Sequence, residues 1–348
     1  MGSRLLLAPL AWLGPGRTVE DAAVLVEGTL VAWAGRRVEV PPVDDDTEIV
    51  QLDGFLMPAV ADRHVHVGLS SPRAIVEGGV TAVRDLGWPP DGVFALADAS
   101  EGPSFLGPLI RAAGPMLTAV GGYPTRAEWA PPGTGFELRG PEHAAGTVSA
   151  LAARGAAHVK VSLNAEAGPT PSDAELSAVV ETALRHGLPV TAHVQGVGQA
   201  DRALGAGIGE LAHAPWSERL SEDLLHAMAR AGMRIVSTLD IQGYGTATPE
   251  LRTALDNLRR FHAAGGEVAY GTDLGNGPIP AGIHITEALL LAEAGLTGDE
   301  VIAAMALGRL VPGSPADLIA VGGNPLEWLA SLEDLRLVLR GGRVFRGM

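Results

Sequence analysis

Between Phe55 and Gly308, short apolar runs alternate with longer stretches whose apolar residues recur at helical spacing, and this rhythm limits the possible folds more than any other feature. Eight candidate strands are legible: Leu56–Val67, Val80–Leu86, Leu109–Leu117, His158–Leu163, Pro189–Val194, Glu210–Ala214, Arg234–Leu239 and Val268–Leu274. Alanine-rich helical stretches such as Asp173–His186 and Ser221–Ala231 lie between them. A crossover helix returns the chain in the same direction, so strands separated in this way pair in parallel, and eight such units predict an α/β fold of the (β/α)8 or TIM-barrel type. The alternative is a doubly wound open sheet, but the turn opening the first helix lacks the Gly-rich phosphate loop such sheets usually carry.

The rhythm changes at both ends. Leu5–Leu13, Ala23–Val26 and Leu30–Ala34 read as short strands, with a hairpin turn at Glu27-Gly28-Thr29 and an acidic loop at Asp44-Asp45-Asp46. After Gly308 come Leu318–Val321, Leu335–Leu339 and Arg343–Phe345, the last two joined at Gly341-Gly342. The expected organisation is therefore a barrel over residues 57–308 and one small β-sandwich domain shared by residues 1–56 and 309–348.

Composition narrows the partners. Twenty-five basic residues against 40 acidic ones leave a net charge of −15, which disfavours nucleic acid and anionic membrane surfaces and points to a small-molecule substrate. With no cysteine there is no disulfide framework, thiolate metal site or cysteine nucleophile, so a metal would be held by histidine or carboxylate. No apolar run reaches the roughly 18 residues of a membrane span. Leu5–Leu13 is interrupted by Pro9 and lacks a small-residue cleavage site, so it reads as a strand rather than a signal segment, with a cytoplasmic location expected. A homo-oligomer is compatible with the sequence. All basic residues but one are arginine, and the exception is Lys160. Arginine stays protonated, whereas a buried lysine amine shifts its pKa and becomes reactive, so position 160 is a candidate for amine chemistry.

A barrel gathers its chemistry at the C-terminal ends of its strands. The first strand ends Asp62-Arg63-His64-Val65-His66, and strand alternation puts His64 and His66 on one face. The fourth strand carries Lys160, the fifth His193, the sixth His213, and the eighth ends in Gly271-Thr272-Asp273. Six residues of metal-site type thus fall at matching positions.

These segments, with Met57-Pro58, Gly79 through Gly87, Thr191-Ala192-His193 and the closing Gly313-Ser314-Pro315-Ala316-Asp317-Leu318, resemble the amidohydrolase superfamily. Within it they are most similar to the branch of imidazolonepropionase and the Xaa-Pro dipeptidase-like enzymes. The resemblance covers nearly the whole chain. It implies that His64, His66 and Asp273 hold one divalent metal, that His193 and His213 hold a second, and that Lys160, carboxylated by carbon dioxide to N6-carboxylysine, bridges the two. Zinc is the expected metal. The implied reaction is hydrolysis of an amide, peptide, cyclic amide or ester bond by a hydroxide shared between the metals, with Asp273 as proton shuttle. The alternatives are deamination or other non-hydrolytic chemistry on the same scaffold, and a binding protein without catalysis.

The chain departs from the family pattern in places. Gln195 stands where a second histidine is frequent, Ala212 where glutamate is frequent, and Tyr123 replaces a frequent histidine of the substrate loop. The segment between Met305 and Pro312 is shorter than usual. Tyr123, Tyr244 and His284, all in loops following strands, are candidate substrate contacts. His158 is expected in the interior as a hydrogen-bonded residue, and His143, His186, His226 and His262 on the surface. Arg84 is expected to pair with Asp85 or a neighbouring loop, and Glu287 to cap or pair within its own helix.

Overall fold

The computed structural model describes residues 2–347 as an α/β fold built on parallel strands, with a further sheet drawn from both ends of the chain. Val60–Val65, Val80–Asp85 and Leu109–Ala112 form a three-stranded parallel sheet. A second sheet, also parallel, runs in the order Gly135–Leu138, Met116–Ala119, Val159–Asn164, Val190–Gln195, Glu210–Leu211, Arg234–Val236 and Glu267–Ala269. Backbone hydrogen bonds join the two sheets on both sides. Arg63 N donates to Tyr270 O (3.1 Å) and Asp273 N to His64 O (2.8 Å), while Ala157 N donates to Ala112 O (2.9 Å).

Two of the expected strands are each divided. Leu56–Val67 becomes Phe55–Pro58 and Val60–Val65, because Pro58 has no N–H for a ladder and Ala59 N turns to the Asp317 carbonyl (2.9 Å). Phe55–Pro58 pairs with the terminal strands, so it crosses the expected boundary between residues 56 and 57. Leu109–Leu117 is cut at Gly114-Pro115, where Gly114 has φ of 80°, and its halves enter different sheets. The strand Gly135–Leu138 was not anticipated; its four residues are too few for alternation to show.

Helices start where side chains can accept the free N–H groups of the first turn. Ser172 and Glu175 form a reciprocal capping box on Asp173–Arg185, and Ser221 caps Glu222–Arg230. No helix among the described residues is long and apolar enough to cross a membrane.

The ends of the chain share one eight-stranded sheet. Ser3–Gly14 pairs antiparallel with Arg17–Glu27 and parallel with Glu48–Gln51 and Phe55–Pro58, and the last of these pairs with Leu318–Val321. Successive strand residues face opposite sides, and both sides are buried: Leu6 packs with Val24, Leu56, Leu318 and Leu337, whereas Leu5 and Leu7 pack with Ala23, Leu25 and Val40.

Candidate active site

The site starts from a clamp between the first parallel strand and the segment after Glu267–Ala269. Gly271 permits the approach, since a Cβ there would lie 2.3 Å from Val236 Cγ1 and 3.1 Å from His64 N. The Asp62 carboxylate then spans the junction, accepting from His64 N (3.0 Å), Thr272 N (3.1 Å) and the Thr272 hydroxyl. Burial still holds its pKa up at about 6. Beyond the clamp the chain enters the left-handed region at Asp273, with φ of 59°, and Thr238 across the site has φ of 40°. For residues other than glycine such backbones cost of order 1–3 kcal/mol each, and they cluster at functional sites.

His64 and His66 are each anchored through Nδ1, which turns the other ring nitrogen toward the site. His64 Nδ1 lies 2.8 Å from the Ala212 carbonyl and His66 Nδ1 2.8 Å from that of Gly87. A carbonyl only accepts, so both Nδ1 atoms carry protons and both Nε2 atoms face the site. His213 Nδ1 is held by Thr238 Oγ1 at 2.8 Å, and its Nε2 lies 3.0 Å from His193 Nδ1. Asp273 Oδ1 sits 3.2 Å from both His64 Nε2 and His66 Nε2. One ligand atom each from His64, His213 and Asp273 falls within 4.8 Å of the others.

His64 Nε2, Asp273 Oδ1 and Lys160 Nζ are buried and make no aligned hydrogen bond, even though the first two are close. Buried polar atoms rarely lack partners, and each one left unpaired costs about 1–3 kcal/mol. Two imidazoles, an aspartate and an amine converging in this way fit a divalent cation, which accepts lone pairs from such nitrogen and oxygen atoms.

The electrostatics favour neutral, ligand-ready bases. Burial pushes His193 down to about 3, with Lys160 adding to the effect, and drives His64 and His213 well below the ordinary histidine range. His66 goes the other way: burial disfavours its cation, but the close contact with Asp273 and that residue's charge outweigh the burial. Burial brings the Lys160 amine down to about 7, opposed by the negative charges of Asp273 and Glu210.

A cavity of about 260 Å³ opens onto these groups. His64, His66, His193, His213 and Asp273 form its floor, and Tyr123, Trp129, Trp216 and Tyr244 are among its walls. Tyr123 stacks on His193 with ring centres 5.2 Å apart, and Trp129 lies 4.7 Å from the His66 ring. Tyr244 rests on Gly277, where a Cβ would come within 2.5 Å of its ring, so the loops following the last two strands touch. Lys160 does not line this cavity and is wholly buried.

Of the predicted site residues, Lys160 and His284 do not line the cavity, and His284 is held by other partners. It is buried, with Nε2 2.7 Å from Asp240 Oδ2, because Tyr270 Oη accepts from its backbone N–H (2.9 Å) and fixes it at the start of the helix Ile285–Glu293. Two other expectations are corrected. Arg84 pairs with Glu210 across the interior rather than with Asp85, and Glu287 accepts from Leu239 N (2.8 Å) and Asp240 N (2.9 Å) rather than pairing within its helix. His158 is interior and 3.1 Å from the Asp85 carbonyl. His143, His186 and His226 are exposed, and His262 is partly buried 3.6 Å from Glu300.

Sequence reasoning missed Trp129 and Trp216. The available signal was position: Trp216 follows His213 by three residues, and Trp129 shares the loop of Tyr123.

The sequence profile of the amidohydrolase family matches residues 55–348. Ochratoxinase of Aspergillus niger is 24% identical over 423 aligned positions, covering 99% of this chain and 86% of that protein. Its crystal structure superposes with a TM-score of 0.84 at 22% identity, covering 99% of this chain and 96% of that one. A Xaa-Pro dipeptidase crystallised with methionine in its active site gives a TM-score of 0.81 at 21% identity over 99% of this chain and all of that one. Imidazolonepropionase of Pseudomonas aeruginosa is 44% identical over 57 residues, 16% of this chain and 14% of that protein. The chain belongs to the amidohydrolase family and is an amidohydrolase-type enzyme acting on carbon–nitrogen bonds.

Proposed function

We propose that this protein is a binuclear metal-dependent hydrolase of an amide, peptide, cyclic amide or ester bond in a small molecule. The observation that carries this reading is the set of three buried atoms without hydrogen-bond partners, His64 Nε2 and Asp273 Oδ1 at the cavity and Lys160 Nζ in the interior. In this reading the parallel strands are a (β/α)8 barrel, supported by the hydrogen bonds that join the two sheets on both sides. Residues 57–308 are its catalytic domain, and residues 1–56 with 309–348 form a small β-sandwich domain. The peptide bond named in the Xaa-Pro dipeptidase points the same way.

His64, His66 and Asp273 would hold one divalent cation and His193 with His213 a second, zinc being the expected metal, with Lys160 between them. Bound cations supply Lewis acidity, lowering the pKa of water and polarising a carbonyl. The chain's own residues do the rest. The carbonyls of Ala212 and Gly87 fix the tautomers of His64 and His66. Lys160, with its pKa brought near 7, is in large part a free amine, and its Nζ lone pair attacks carbon dioxide to form a carbamate with release of one proton. Asp273 takes a proton from the attacking water on a carboxylate oxygen and returns it to the leaving nitrogen or alkoxide. Tyr123 and Tyr244 contact the substrate.

The test is elemental analysis of metal content per chain in wild type and Lys160→Ala, prepared identically with zinc and bicarbonate. Two metals falling to one or none is the expected result. One metal in both would remove Lys160 from the centre, and none in either would favour a binding protein.

A further inference from the structure

Apart from the five metal-site residues, the groups lining the cavity carry no charge. Among the described residues none of its lining side chains is lysine or arginine. Its one acidic wall group is Asp273, and a second carboxylate stands close by, since Gln195 Nε2 donates to Glu166 Oε2 at 2.7 Å. The other end of that amide is also committed, because Gln195 Oε1 accepts from Asn164 Nδ2 at 2.8 Å. Gln242 and Asn276, both neutral, remain as polar wall groups. The apolar surface is mostly aromatic, with Met116 and Ile241 completing it. Trp216 stands edge-on to His193 and His213, with ring centres 5.7 and 5.4 Å away, and Trp129 covers His66. Trp129 Nε1 donates to Tyr123 Oη at 3.0 Å, which fills an acceptor site on that hydroxyl and directs its own proton elsewhere.

We infer that the substrate is an uncharged amide-type molecule with an aromatic or compact apolar group held between Trp129 and Trp216, its carbonyl oxygen receiving a hydrogen bond from Tyr123. Rejection of carboxylates follows from the same walls. A carboxylate entering here gives up water and finds no guanidinium or ammonium on the walls to replace it, while the nearby Glu166 repels it. A planar neutral ring loses little on leaving water and gains stacking on indole faces. This inference rests on the hydrolase reading above and specifies its substrate class.

The experiment uses the metal-loaded protein and a matched pair of probes, N-acetylphenethylamine and N-acetylphenylalanine, which differ only in the carboxylate. Binding is measured by calorimetry and turnover by product mass. The expected result is tighter binding of the neutral probe by tenfold or more, with a corresponding preference in kcat/KM. Gln242→Arg should bring the two probes to within about threefold of each other, and Trp216→Ala should raise the KM of the neutral probe. Equal or preferential binding of N-acetylphenylalanine by wild type overturns the inference, and so does failure of both probes to bind. Binding of the neutral probe without cleavage leaves the substrate class standing and counts against the hydrolase reading, so the two failures are separable.

Discussion

Two buried charged clusters lie a short way apart in the parallel unit, and they are finished differently. In the deeper one Glu210 accepts from Arg84, from Arg234 Nε (2.6 Å) and from Thr191 Oγ1 (2.8 Å), while Arg84 also donates to the Arg63 carbonyl and Arg63 to the carbonyls of Ala61, Ala304 and Ala306. Burial alone would raise the Glu210 pKa, but its two arginines outweigh burial and lower it. In the upper cluster His64, Lys160 and Asp273 are equally buried and each leaves an atom unpaired. Register makes the contrast close: Thr191 is the strand partner of both Lys160 and Glu210. A buried charge with every partner in place belongs to the scaffold, whereas one with a partner missing is waiting for a ligand.

The contrast is broken most directly at Asp273. Asp273→Asn, with metal occupancy confirmed by elemental analysis, should lower kcat by about a thousandfold with little change in KM, as loss of a proton shuttle does; retention of most of the kcat would leave Asp273 a ligand only. Next comes stability. Glu210→Ala strands two arginines and should cost about 3–5 kcal/mol in urea unfolding, whereas Lys160→Met, assayed without metal, removes a burden and should stay within about 1 kcal/mol of wild type or exceed it. The opposite ranking would erase the distinction between the clusters. Saturating zinc at about a hundred times its Kd should stabilise wild type by about 2.7 kcal/mol and Lys160→Met by less, read as shifts in the urea midpoint.

The smallest effect is a pH slope. Burial lifts Glu287 to about 7, above its ordinary value near 4.3, so the folded state holds this proton more tightly than the unfolded chain. Its contribution is complete at low pH and is lost as pH rises through 7. The urea midpoint should therefore fall between pH 5 and 8, and Glu287→Gln should flatten that fall; an unchanged slope in the variant assigns it to other groups.

The upper cluster was largely legible in the sequence because its residues sit at strand ends, where the period of two and the order of the β/α units decide which side chains converge. His64 and His66, two apart on one strand, show this most simply. The lower cluster was not legible. Arg84 meets Glu210 from 126 positions away, and nothing local distinguishes that partner from the adjacent Asp85. The aromatic walls were hidden for a related reason, since a loop's side-chain directions follow from its packing and have no period to read. His284 shows the converse error: loop position suggested a substrate contact, while the Tyr270 hydroxyl and Asp240 drew it inward. The divided strands turn on single residues, Pro58 and Gly114, whose effect on a ladder is local and abrupt.

The shared terminal sheet sets an order of events during synthesis. Phe55–Pro58 needs Leu318–Val321 as a neighbour, and Arg4 Nη1 donates to the Gly342 carbonyl at 3.1 Å, across 338 positions of sequence. A ribosome releases every parallel strand before it makes these partners, so the early strands wait with open edges while the rest of the chain folds. Closing contacts so distant in sequence is slow, and unpaired edges recruit other chains in the meantime. The sheet is thus the last part of the molecule to be completed and the part most exposed to misassembly, although the active site lies elsewhere.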